Sequence, residues 1–167
     1  MADVWHALSV KQPWAAMLVS GRKTIEIRTW NVSRRERILI HAAKVPDLRP
    51  EGWAALDTPE LRALAQFQGG ILGVAELVDC IRYDTSAAFA TDAPRHCNAP
   101  EWFRPPRLFG FVFEDAQLVP FAPWTGNTFF FAVKRYTLPE VVIAETPLPA
   151  VVWIDPPEGT RKGIPAP

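Results

Sequence analysis

The chain has 167 residues, 49% of them hydrophobic, with 18 Lys and Arg against 18 Asp and Glu. That is the size and composition of one globular domain with a full core, which excludes a disordered or fibrous polypeptide. Zero net charge argues against indiscriminate polyanion binding but conceals an asymmetry: residues 1–49 carry nine Lys/Arg and four Asp/Glu, the remainder nine and fourteen. A basic N-terminal third suits contact with phosphate or another anion, and scattered surface charge accounts for it about as well.

Seventeen prolines favour loops and short strands over long helices, and seven tryptophans supply either core or flat stacking surfaces. In chain order, "HALSV" (residues 6–10) reads as a strand. Pro13 can open a short helix over residues 13–20, with Trp14, Met17 and Leu18 on one face and Gly21 as its stop. "KTIEIRTW" alternates with period two, predicting a strand over Thr24–Trp30 that turns Ile25 and Ile27 one way and Thr24, Glu26, Arg28 and Trp30 the other. "RILIHAA" (37–43) is a third strand. Residues 47–67 have room for a helix from about Pro59, announced by "DTPE". Gly69-Gly70 marks a turn into a long strand through Val78. Residues 84–107, with Pro94, Pro100, Pro105 and Pro106, form a lid or a packed loop. "RLFGFVFED" and "NTFFFAV" are two further strands joined through "AQLVPFAPWTG", where Gly126-Asn127 is a tight turn. Periodicity fades from Leu138, so residues 1–137 are assigned to the domain and 138–167 to a proline-rich extension. The expected fold is α+β: a small curved or closed β-sheet of five to six strands with helices covering its openings.

Residues two apart on a strand face lie roughly 6.5–7 Å apart, so Glu26 and Arg28 can meet through their side chains. They form either an exposed ion pair or a pocket wall, in which Arg28 offers a planar donor fork, Glu26 accepts from amino groups and Trp30 stacks. Lys11 and Gln12 stand at the start of the first helix, where free backbone N–H groups favour anions. Trp124 could cap a neighbouring pocket beside Gly126 and Asn127. His6, His41, His96, Cys80 and Cys97 show no paired ligand spacing, so neither a metal nor another cofactor is expected. Two cysteines are too few for a disulfide framework, though one bond between them is open. Thr24 beside Lys23 is the one adjacent pair of hydroxyl and lysine able to serve nucleophilic chemistry. The opening residues lack a basic region followed by an apolar run, and no apolar stretch nears membrane-spanning length; a cytoplasmic protein, compatible with a monomer, is expected.

"LSVKQPWA", "GRKTIEIRTW", "ILIHAAK" and "GGILGVAELVDC" together resemble the ASCH domain (activating signal cointegrator homology) over about Ala7–Val133. The resemblance implies a β-barrel related to the PUA fold. It also implies recognition of nucleic acid, RNA foremost, or of a nucleotide or nucleoside, in a cleft between the first helix and the barrel. Gln12, Pro13 and Trp14 match its first motif, Lys23, Glu26 and Arg28 its second, and Gly126 its late glycine. The expected ligand-binding set is therefore Lys11, Gln12, Trp14, Lys23, Glu26, Arg28, Trp30, Trp124, Gly126 and Asn127. Some members are similar to amidohydrolases of acylated cytidine and others to ribonucleases, which makes Lys23, Thr24 and Glu26 the alternative catalytic set. The hydrolase lysine matches Lys23, but the hydrolase threonine falls at Glu26, and a carboxylate replaces an activated hydroxyl poorly in amide cleavage.

Overall fold

The computed structural model describes residues 4–139. Its strands are β1 (Val4–Val10), β2 (Ile25–Arg28), β3 (Glu36–Ala42), β4 (Gly70–Tyr83), β5 (Leu108–Pro123) and β6 (Phe131–Lys134). Its helices are α1 (Trp14–Val19), α2 (Pro50–Ala54), α3 (Pro59–Leu64), α4 (Ser86–Thr91) and α5 (Ala93–His96). All six strands form one sheet, in the order β2-β5-β4-β3-β1-β6. β1 and β3 run parallel, because α1 and β2 intervene and return the chain to the same end, and the other pairs are antiparallel. The β4–β5 ladder slips register three times, at Ile71/Gly73, Val74/Glu76 and Leu77/Asp79. Each bulge adds twist, and together they curl the two long strands into the wall of an open barrel.

α1 plugs one face of this wall. All six of its residues are buried, and they meet Leu8, Val10, Ile38, Ile40, Leu72 and Phe111 in the main core. The approach is close enough that a Cβ on Gly73 would stand 2.4 Å from Val19 Cγ1, so only glycine fits there. The opposite face packs Ala7, Leu39, Ile71, Val74 and Val133, as the period-two alternation of β1 and β3 requires. A third, small cluster of Tyr83, Phe89 and Leu108 anchors α4 to the sheet.

Several expectations are revised. β2 stops at Arg28, and Thr24 and Trp30 lie outside it. The last two expected strands are redrawn, since β5 continues without a break from Leu108 to Pro123 and β6 begins only at Phe131. Bulges absorb the polar and proline positions that read as a connection. The proline-rich excursion is a packed segment: Pro94 and Pro100 stand at the first turns of α5 and of a 3-10 turn, Pro100–Trp102, where a missing N–H costs nothing, and Pro105 and Pro106 lead into β5. α2 was not foreseen. The extension is described only as far as residue 139, so its remainder lies outside the described residues.

Candidate functional site

A cleft of about 1370 Å³ opens between the start of α1, strand β2, the segment after β3 and the loop after β5. Four cations, Lys11, Arg28, Lys44 and Arg49, line it against two carboxylates, Glu26 and Asp47. Trp14, Trp102 and Trp124 contribute its aromatic surface.

β2 places Glu26 and Arg28 in the wall. Arg28 Nη2 lies 3.3 Å from Glu26 Oε1 and donates to the Ser9 carbonyl at 2.7 Å. Behind them Lys23 is 2% exposed, and its ammonium donates to the His96 carbonyl and to Asn98 Oδ1 while standing 3.5 Å from Glu26 Oε2. Burial pushes the Lys23 pKa below the usual lysine value, and the Glu26 charge opposes that fall. The Glu26 carboxylate thus has a cation beside each oxygen.

The opposite wall is built on Asp47. Its Oδ1 accepts from the Arg49 backbone N–H and Nε, and its Oδ2 from Trp14 Nε1 at 2.9 Å and Arg49 Nη2 at 2.6 Å. Burial would raise the Asp47 pKa, but the hydrogen bonds from Arg49 and Trp14 outweigh it and hold the group below its ordinary value. The Arg49 guanidinium lies over the Trp102 ring, 3.4 Å from its centroid, and Trp102 meets Trp14 edge-on at 5.5 Å. This chain of contacts fixes a rigid wall that is cationic and aromatic at once.

The third side is set by register. β1 pairs Ser9 with His41 on β3, so both side chains emerge together. His41 Nε2 donates to the Trp124 carbonyl at 2.7 Å, which leaves Nδ1 to accept from Ser9 Oγ at 2.9 Å. Burial keeps the His41 pKa below its ordinary value, so the ring is neutral at pH 7. Gly126 lies against this pair: a Cβ there would stand 2.4 Å from His41 Cε1 and 2.5 Å from Ser9 Oγ. Close approach, and no left-handed turn, is why glycine occupies this position.

Of the residues expected to bind ligand, Lys11, Trp14, Glu26, Arg28, Trp124, Gly126 and Asn127 line the cleft together. Gln12, Lys23 and Trp30 do not. Gln12 is fully buried and links α1 to α3: its Oε1 accepts from Ala16 N, and its Nε2 donates to the Leu64 and Phe67 carbonyls. With Ala15 and Met17 N–H bound to Lys11 and Pro13 carbonyls, the helix start is no open anion site. Trp30 turns away and packs edge-on against Phe111, Phe129 and Phe130. Thr24 is outside the cleft, and none of the Lys23 ammonium's hydrogen-bond partners is its hydroxyl. Among the described residues Cys80 and Cys97 are free thiols, and no group of three or more His, Cys, Asp or Glu could hold a metal ion. Sequence reasoning missed Ser9, Lys44, Asp47, Arg49 and Trp102 as cleft residues, and weighed His41 only as a metal ligand. The basic excess of the N-terminal third was the one signal pointing to Lys44 and Arg49.

The family model of the ASCH domain matches residues 8–124, from β1 to just past the end of β5. The chain belongs to the ASCH domain family. It is similar to human activating signal cointegrator 1, at 35% identity over an alignment of 93 residues, with 47% of this chain and 15% of that protein covered. The chain therefore spans only a small part of the length of that relative. Among solved structures, the ASCH protein of Zymomonas mobilis has the same fold. A serine-to-alanine variant of that protein superposes with a TM-score of 0.55 at 16% identity, covering 78% of this chain and 88% of that one. The unsubstituted protein gives 0.51 at 18% identity, over 71% and 72%. Among the described residues no helix is long and apolar enough to cross a membrane.

Proposed function

We propose that this ASCH domain is a nucleic-acid-binding module, RNA being the favoured polymer, which takes a nucleotide unit into the cleft. The observation that carries this reading is the pairing of chemistries in one concavity. Exposed Lys11 and Lys44 stand at the rim, suited to phosphate. Inside, the half-buried Trp124 and the Arg49–Trp102 stack offer flat surfaces suited to a base. Glu26 and Arg28 supply fixed hydrogen-bonding groups between them.

The alternative hydrolase reading draws no support from the geometry. The Lys23 side chain is 1% exposed, its ammonium is held by His96, Asn98 and Glu26, and Thr24 stands apart from the cleft. The test is fluorescence anisotropy of labelled single-stranded and duplex RNA and DNA across a salt series. Wild-type affinity should fall with added salt. The double variant Lys11→Glu/Lys44→Glu should bind more weakly to every sequence and lower the slope of log affinity against log salt by about two. Saturable binding that this variant leaves unchanged would place the ligand elsewhere.

A further inference from the structure

The two carboxylates of the cleft differ in one respect. Asp47 is saturated, with its oxygens accepting from Trp14 and from three nitrogens of Arg49. Glu26 is equally buried, at 8% exposed, yet its nearest cations stand at 3.3 and 3.5 Å, beyond the usual hydrogen-bond range. Flanked by Lys23 and Arg28 at ion-pair distance, Glu26 lines the cleft with acceptor capacity that neither cation fills. Beside Oε1, the Arg28 Nη2 that donates to the Ser9 carbonyl carries a second N–H. A buried carboxylate with unfilled acceptors is costly to maintain, and a ligand carrying donors relieves it.

We propose that Glu26 makes the cleft selective for guanine; this rests on the nucleotide-binding reading above. Arg28 Nη2 lies nearest Oε1 and Lys23 nearest Oε2, so the wall reads, in order, the Arg28 donor, Oε1 and Oε2. Its complement is an edge that runs acceptor, donor, donor. Among the four common bases only guanine has that edge, with O6 beside N1–H beside an N2 hydrogen. Adenine and cytosine place a ring-nitrogen acceptor next to their amino group, which would face a carboxylate oxygen lone pair to lone pair. Uracil has one donor between two carbonyls, and a carbonyl would meet the carboxylate.

The experiment changes the ligand, so it does not depend on a variant that could fail to fold. Labelled RNA heptamers with a single variable centre in a uridine context are titrated into the wild-type protein by anisotropy at fixed low salt. The centre is guanosine, adenosine, cytidine, uridine, inosine (no 2-amino group) or 1-methylguanosine (no N1–H). Guanosine should bind tightest, and inosine and 1-methylguanosine should each lose roughly tenfold. Glu26→Gln, checked for folding by circular dichroism, should narrow the preference for guanosine over adenosine to under threefold. Equal affinity for all six centres, or inosine matching guanosine, overturns guanine selectivity and leaves the binding module standing. No binding of any heptamer overturns both.

Discussion

Gln12 separates a structural role from a ligand role. The family resemblance assigns it to the ligand-binding set, whereas its carboxamide forms three interior hydrogen bonds, of 3.0 Å with Ala16 N, 3.0 Å with the Leu64 carbonyl and 2.8 Å with the Phe67 carbonyl. Gln12→Leu keeps the approximate volume and removes all three from a fully buried side chain, while the Leu64 carbonyl keeps the Phe67 N–H. At about 1 kcal/mol net per hydrogen bond, the loss is about 3 kcal/mol, a large fraction of a typical domain's ~5–15 kcal/mol. For a domain of this size that lowers the melting temperature by roughly 6–12 °C. The assay is thermal and urea unfolding followed by circular dichroism, beside Arg22→Ala as control. That control breaks a half-exposed 3.1 Å ion pair with Asp57, worth about 0–1 kcal/mol. Oligonucleotide affinity per folded molecule should stay close to wild type. A Gln12→Leu protein that unfolds with the control yet has lost its affinity would refute the structural assignment.

Gly126→Ala should cost about 1–3 kcal/mol and weaken oligonucleotide binding, because its methyl group overlaps His41 and Ser9 and forces the loop off the Trp124–His41 hydrogen bond. An unchanged urea midpoint would mean that the loop yields freely. Acid should destabilise the fold through His41 and His96. Burial depresses both from 6.5 in the folded state, so below that pH the unfolded chain takes up more protons. Their contribution is therefore full above about pH 6.5 and declines as the pH falls below it. His96 carries a structural reason as well: its Nε2 donates to the Phe89 carbonyl, and its Nδ1 accepts from Asn98 N, so an added proton there meets an N–H. The urea midpoint should drop between pH 7 and pH 5, and a flat profile would contradict the assignment.

Local pattern was enough for what depends on neighbouring residues. Short apolar runs marked β1 and β3, and Pro59 after Thr58 marked α3, whose first turn is capped by the Thr58 hydroxyl. The spacing of Glu26 and Arg28 already allowed their side chains to meet, and they do at 3.3 Å. The family, too, was legible, because its motifs lie in short runs.

The rest depended on pairings that local sequence does not encode. Whether "AQLVPFAP" is a connection or a strand was decided by the bulged ladder it forms with β4. Trp30 was drawn into the Phe111–Phe130 cluster because the chain leaves β2 at Arg28 and loses the strand's alternation there. Gln12 and Glu26 are both polar residues in motif positions, and nothing in their immediate neighbours distinguishes them. Carbonyls more than fifty residues away satisfy Gln12, while Glu26 meets only cations at ion-pair distance and opens on the cleft. Sequence alone determined which motif residues have chemistry to offer; tertiary structure added Asp47 and Arg49 to the cleft and decided which groups are already satisfied inside the protein, and a group that is satisfied has nothing left to offer a ligand.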